Sequence, residues 1–119
     1  MKNVYIYQPD RTLLKRQIRK YADYIKGVVL DAGGGSQKRY VSYFKFDKYI
    51  TLDANPETSP DILAGLEKIP LGDNSVDSII CTQVLGDVED PSAALREFYR
   101  ILKPGGAVLL TESFFNEMH

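Results

Sequence analysis

The chain has 119 residues, the size of one domain with a single core, and its 44% hydrophobic and 26% charged content is that of an ordinary soluble globular protein. Its 15 basic and 16 acidic residues leave a net charge of −1, which excludes a whole-protein attraction to nucleic acid or anionic membrane. The single cysteine, Cys81, excludes an intramolecular disulfide and a cysteine-rich metal site. Its apolar runs are too short to span a bilayer and residues 1–10 hold no secretory apolar stretch, so a reduced, cytoplasmic, single-domain protein over residues 1–119 is expected.

At the start of the chain, Val4-Tyr-Ile-Tyr fits either a short strand or an apolar flap. A helix follows from Pro9 to Lys26, with Leu14, Ile18, Tyr21, Ala22 and Ile25 at i, i+4, i+7, i+8 and i+11 on one face. Arg11, Lys15, Arg16, Arg19 and Lys20 lie mostly off that stripe. Such a cluster invites a nucleic-acid reading, but the balanced total charge and the lack of interleaved aromatics favour a solvated helix back.

From Gly27 the pattern changes. Gly27-Val-Val-Leu-Asp-Ala is an apolar, β-branched run that stops at three glycines, Gly33 to Gly35. A run without polar alternation predicts a strand covered on both faces. Three similar runs follow, Tyr49-Ile-Thr-Leu-Asp-Ala, Val76-Asp-Ser-Ile-Ile-Cys-Thr and Ala107-Val-Leu-Leu-Thr-Glu, with a weaker one at Asp61-Ile-Leu-Ala-Gly. Asp73-Asn-Ser marks the turn into the Val76 run. Before the last run lies a helix with Asp90 as N-cap, Pro91 at its first position, and Ala94, Leu95, Phe98, Ile101 and Leu102 as its apolar face. Lys103-Pro-Gly-Gly ends it. Alternating strands and helices define an α/β class with a mostly parallel, doubly wound, Rossmann-like sheet. No internal repeat or low-complexity stretch interrupts this order.

The most informative segment is Val28-Val-Leu-Asp-Ala-Gly-Gly-Gly-Ser, with Asp53 following at the end of the next strand. Glycines directly after a first strand let the backbone approach a ligand at the strand ends, and an acid closing the second strand is placed for two ribose hydroxyls. Taken singly, the glycines are no more than turn formers and Asp53 a solvated strand-end acid; their spacing within an alternating strand–helix order points to a ligand. Those features fit any adenosine-bearing molecule, NAD and S-adenosylmethionine included. Asp31 separates the two. A carboxylate beside the glycine loop repels a pyrophosphate and attracts the ammonium and sulfonium of S-adenosylmethionine, directly or through water. The full G-x-G-x-x-G is also absent, because Lys38 stands at its last position.

These residues resemble the class I S-adenosylmethionine-dependent methyltransferases, type-11 subgroup. Val29-Leu-Asp-Ala-Gly-Gly-Gly is similar to the family's V-L-D-x-G-x-G, and Asp53 falls at its ribose-binding acid. Ile69-Pro-Leu-Gly-Asp-Asn-Ser-Val-Asp resembles L-P-F-x-D-x-S-F-D, and Val84-Leu-Gly-Asp-Val-Glu-Asp-Pro resembles V-L-x-H-V-x-D-P. Leu95-Arg-Glu-Phe-Tyr-Arg-Ile-Leu-Lys-Pro-Gly-Gly matches the helix and turn before the fifth strand. The resemblance covers roughly residues 13–113. It implies strand order 3-2-1-4-5 and S-adenosylmethionine as cofactor, with the methionine moiety near Asp31, Gly33 and the Gly35 loop. The ribose would sit at Asp53, the adenine against Ala54 and the backbone of Leu66, and Thr82 and Gln83 would close the methionine side. A small-molecule methyl acceptor is implied. No catalytic residue is assigned, since in-line methyl transfer can proceed by positioning alone, and no metal is expected.

Four departures from the pattern stand out. Gln37 stands where a third glycine is frequent, Gly65 where many relatives carry an acid for the adenine amine, and Gly86-Asp87 where Glu-His is common. The only histidine, His119, is the last residue and is expected to be a frayed end; Cys81 is expected to be a buried small hydrophobe. The chain also lacks the family's last two strands, so the fifth strand would be a bare edge, and a homodimer through Ala107–Thr111 or a fragment is expected. Two competing readings remain: a non-catalytic S-adenosylmethionine-binding or regulatory module, and a nicotinamide dehydrogenase domain, which Asp31 disfavours.

Overall fold

The computed structural model describes residues 2–7, 16, 18–33, 41–82 and 88–111. Six strands form one sheet: β1 (Asn3–Tyr7), β2 (Val28–Ala32), β3 (Lys48–Asp53), β4 (Ile62–Leu63), β5 (Val76–Thr82) and β6 (Leu102–Thr111), with the helix α1 (Pro91–Ile101) between the last two. The spatial order is β1-β6-β5-β2-β3-β4, and every pair is parallel. The five runs expected from the sequence are β2 to β6, and they stand in the expected 3-2-1-4-5 order.

Both faces of the sheet are covered, which explains why its strands are apolar without alternation. Leu30, Ala32, Leu52, Ile79, Cys81, Val108 and Leu110 point to one face and pack with Ala94, Phe98 and Ile101 of α1. Val29, Ile80, Ala107 and Leu109 point to the other, where Ile18, Ile25 and Phe44 cover them. Residues 16 and 18–21 are helical and a 3-10 turn, Ala22–Tyr24, ends that segment; Leu14 and the expected helix start lie outside the described residues.

The α1 boundaries follow from its caps. The Asp90 carboxylate accepts from the Ala93 amide at 3.1 Å, and Pro91 occupies the first turn, where a missing N–H costs nothing. Two expectations for this helix need correction. Leu95 is 40% exposed, because only positions 94, 98 and 101 fall on the core side. Leu102 is the C-cap in extended conformation and already pairs with Val76, so it opens β6 instead of closing the helix. Between Leu102 and Ala107 the ladder with β5 shifts register, and residues 103–106 fold through Gly105 at φ 85. At Gly106 a Cβ would stand 2.6 Å from the Asp77 carbonyl oxygen, so only glycine lets the chain rejoin β5 there.

The expected bare edge is not bare. β1 lies parallel to β6, pairing Asn3 with Ala107 and Tyr7 with Thr111, and so occupies the edge that had suggested a dimer. The segment left open as strand or flap is therefore a strand. Lys2 fixes its entry: the ammonium donates to the Tyr99 carbonyl oxygen and lies 3.9 Å from the centre of the Tyr99 ring.

Removing residues 1–7 is expected to unpair the outer side of β6 and drive self-association, seen in sedimentation as a mass that rises with concentration; a truncated chain that sediments like the full one would contradict this pairing. Phe98→Ala, at a side chain 1% exposed, is expected to lower unfolding stability by about 3–5 kcal/mol in chemical denaturation.

Candidate functional site

In an open parallel sheet the ligand crevice lies beyond the carboxyl ends of the strands, on either side of the point where the chain reverses its winding. Here that point is between β2 and β5, since the chain winds from β2 outward to β3 and β4 and then returns to β5. At the end of β2, Gly33 adopts φ 84, and its amide donates to the Leu52 carbonyl at 2.7 Å. That positive φ turns the chain sharply off the strand. Beside it, Asp53 ends β3 and its carboxylate accepts from the Asn55 amide at 2.9 Å, which holds the side chain at the strand tip.

A cavity of about 260 Å³ opens at this end, walled by Gly33, Asp53, Ala54, Gly65, Leu66, Glu67 and Glu89, among others. Four of the residues singled out from the sequence, Gly33, Asp53, Ala54 and Leu66, thus share one wall. Asp31 does not line it. Gly35 and Gln83 lie outside the described residues, as do Gln37 and Gly86-Asp87. Thr82 is placed by its backbone at the end of β5, paired with Thr111 of β6. The wall carries three carboxylates and no lysine or arginine among the described residues.

Asp31 is buried, 5% exposed, one turn of the pleat below the glycine. Its side chain is not turned to bulk water. Oδ2 accepts a hydrogen bond from the Tyr49 hydroxyl at 2.7 Å. The parallel register explains the contact: Asp31 is paired with Thr51, so Tyr49, two positions earlier on the same face of β3, reaches across with its long phenol. Burial raises the carboxyl's pKa above its ordinary 3.8, the Tyr49 hydrogen bond pulls it down in part, and the charge of Asp53 pushes it up again. Burial and then the Asp31 charge drive the Tyr49 phenol far above its usual value, so it stays a donor.

Two supports hold the loop that forms the other wall. Thr51 and Asp61 clasp each other: the Asp61 carboxylate accepts from the Thr51 amide at 2.9 Å, and the Thr51 hydroxyl accepts from the Asp61 amide at 2.9 Å. This satisfies the β3 edge where two-residue β4 is too short to do so. Arg100 of α1 donates to the carbonyls of Ile69 and Leu71 at 2.9 and 2.8 Å and pairs with Glu97 and Asp73. Glu97 in turn accepts from the Ile69 amide at 2.8 Å, and the adjacent guanidinium holds its carboxyl below the usual range. The segment after Leu66 and Glu67 is therefore pinned to the helix.

Neither Tyr49, Glu67, Glu89 nor Arg100 was singled out from the sequence. Tyr49 meets Asp31 only through the β2–β3 register, which pairs Asp31 with Thr51 and which no local signal sets. Arg100 lies three residues after Glu97 on a helix, a spacing that signals an ion pair but not its grip on distant carbonyls.

The arrangement defines an α/β domain with an acid-lined ligand crevice at its winding reversal. Residues 30–110, more than half of the chain, match the family described as Methyltransferase domain. The chain belongs to that family, in which S-adenosylmethionine is the cofactor. A ubiquinone/menaquinone biosynthesis C-methyltransferase, UbiE, of Geotalea daltonii is 46% identical over 50 residues, 42% of this chain and 21% of that protein. The enzyme of the same name from Klebsiella pneumoniae is 43% identical over 51 residues, 43% of this chain and 20% of its own length. Among solved structures, the YcgJ protein of Bacillus subtilis superposes with a TM-score of 0.69 at 24% identity, covering 84% of this chain and 50% of that one. A SAM-dependent methyltransferase from Aquifex aeolicus gives 0.60 at 20% identity, covering 80% and 63%. At those identities the likeness is one of fold. The chain thus spans about a fifth of the curated relatives and half to two-thirds of the solved ones. No helix among the described residues is long and apolar enough to cross a membrane.

Because burial raises the pKa of Asp31, the folded chain takes up this proton before the unfolded chain does as pH falls. The group's contribution to stability is complete below its ordinary 3.8 and is lost as pH rises through the folded value. Tyr49→Phe removes the hydrogen bond that lowers this pKa, so the Asp31 carboxyl titration followed by NMR is expected to move to higher pH; an unchanged midpoint would show that the phenol does not hold the carboxylate.

Proposed function

We propose that this chain binds S-adenosylmethionine across the carboxyl ends of β2 and β3 and serves methyl transfer to a small-molecule acceptor. The observation that carries this reading is the meeting of Gly33, Asp53, Ala54 and Leu66 on one cavity whose described wall holds carboxylates and no cation. A pyrophosphate placed there would meet Asp53, Glu67 and Glu89, which disfavours a nicotinamide dinucleotide; a sulfonium is attracted instead. Asp53 would accept from the ribose hydroxyls, and Ala54 and Leu66 would flank the adenine. The size of the cavity suits the nucleoside half of the cofactor. Asp31 lies below the glycine turn, where its negative charge, shared in hydrogen bonding with Tyr49, would draw the ammonium of the methionine half, with Gly35, Thr82 and Gln83 enclosing it.

The cofactor supplies a methyl group on a cationic sulfur, and the chain supplies orientation and exclusion of water. Asp53, Ala54 and Leu66 would hold the cofactor so that it offers that methyl carbon to a nucleophile on the acceptor, with the sulfur leaving with the electron pair. The curated relatives are named as quinone-biosynthesis C-methyltransferases, which makes an electron-rich ring carbon the first acceptor to test. A second reading, a module that holds the cofactor without transferring its methyl group, is favoured by one feature: β1 fills the sheet position beside β6 where the family continues its sheet. A tritium-transfer assay on small-molecule pools separates the two, once binding is shown.

Asp53→Ala is expected to weaken binding of S-adenosylhomocysteine in calorimetry by about 1.5–3 kcal/mol, the range of hydrogen bonds to a charged group. Unchanged affinity would overturn the ribose assignment. In a thermal-shift comparison, S-adenosylmethionine is expected to raise the melting temperature and NAD to leave it unmoved.

A further inference from the structure

A second cavity, of about 520 Å³, lies at the opposite, amino-terminal end of the sheet. It contains none of the residues assigned to the cofactor. Its walls are the turn before β2, the turn before β3, the start of β5, and the residues 103–106 that swing out of the β5–β6 ladder. That swing creates the space. The ladder with β5 is interrupted between Leu102 and Ala107, so residues 103–106 of β6 form a rim there.

The walls are fixed by buried contacts. Ser78 is fully buried, its hydroxyl accepting from the Lys26 amide and donating to the Lys26 carbonyl, both at 2.9 Å. Asp77 accepts from the Val28 amide at 2.8 Å through one carboxylate oxygen and pairs with the Lys103 ammonium at 3.4 Å through the other. Asp77 thereby joins the start of β2 to the 103–106 segment. This is a preformed site, and its volume falls within the roughly 300–1,000 Å³ typical of small-molecule pockets.

Its charge is set by what those contacts leave over. The lining holds three lysines, Lys26, Lys45 and Lys103, and two aspartates, Asp47 and Asp77. Asp77 and Lys103 neutralise each other. Lys26 and Lys45 have no carboxylate within ion-pair distance among the described residues, and with Asp47 as the remaining acid of the lining they leave one positive charge. Phe46 supplies an apolar surface on the same wall; it is 40% exposed, and its ring packs 5.2 Å from that of Tyr49. A partly exposed phenyl ring in a lining with a surplus of positive charge matches a flat ligand with a negative end.

We propose that this cavity is a second binding site, separate from the strand-end crevice, for a small aromatic anion, with its ring on Phe46 and its carboxylate or phosphate between Lys26 and Lys45. The inference stands apart from the methyl-donor reading, because no residue is shared between the two cavities.

NMR titration of the full chain with benzoate and with phenyl phosphate tests it, with benzyl alcohol as the uncharged counterpart. Saturable shifts of the Gly105 and Gly106 amides are expected with both anions, together with about ten-fold weaker binding of benzyl alcohol. Lys26→Glu/Lys45→Glu, at two exposed positions, is expected to weaken benzoate about ten-fold and to leave S-adenosylhomocysteine affinity unchanged. Lys45→Gln alone should give a smaller loss of the same sign, which keeps the test open if the double variant folds poorly. Absence of shifts up to about 10 mM, shifts at Gly33 and Ala54 instead, or equal benzoate affinity in the lysine variants would each overturn the proposal.

Discussion

The parallel pairing of β2 with β3 on one side and β5 on the other is the constraint on which the molecule is built. It places Asp31 beside Thr51 and lets the Tyr49 phenol reach the carboxylate on the same face. It also brings the end of β3, and with it Asp53, alongside the turn at Gly33, whose amide is bound to the Leu52 carbonyl. A one-residue slip between β2 and β3 would send Asp31 into the face that α1 covers and would leave it without a donor. The acid-lined crevice exists because this register admits no such slip: the neighbours of Asp31, Leu30 and Ala32, are fully buried on the α1 side.

Much of the architecture could be read from residue order because parallel strands covered on both faces announce themselves as unbroken apolar runs. Val28 to Leu30 and Ala107 to Leu110 are such runs, and both lie in strands inside the sheet. The Asp90–Pro91 start of the helix was equally plain, since capping is a local interaction of neighbouring residues. Legibility failed where the partner is remote. Nothing local to Asn3–Tyr7 says that its partner is some hundred residues away in β6, and so the edge was expected to be open. Leu95 failed for a related reason: its apolar character fits the stripe, but which side of the stripe meets the sheet is set by packing, and only Ala94, Phe98 and Ile101 are buried.

The crevice shows the same division. Gly33, Asp53, Ala54 and Leu66 were legible because motif spacing encodes where strands end. Tyr49 and Arg100 were not, because they act on residues brought near by the fold: Tyr49 on Asp31 across a strand pair, Arg100 on the Ile69 and Leu71 carbonyls across the gap between helix and loop. These supporting contacts give the wall of the crevice its rigidity. Without Arg100 the segment following Glu67 would have two carbonyls facing a helix with no donor, a cost that would loosen the wall even with every ligand-facing residue in place.

The pairing of β1 with β6 also bears on how the molecule is made. β1 is synthesised some hundred residues before its hydrogen-bonding partner, Ala107 to Thr111. Through most of translation that apolar N-terminal segment has no native neighbour, and the four inner strands can assemble before it docks. Closure of the sheet is thus a late event whose timing is governed by chain growth, and in the interval the nascent chain is exposed to capture by chaperones or by strands of other copies.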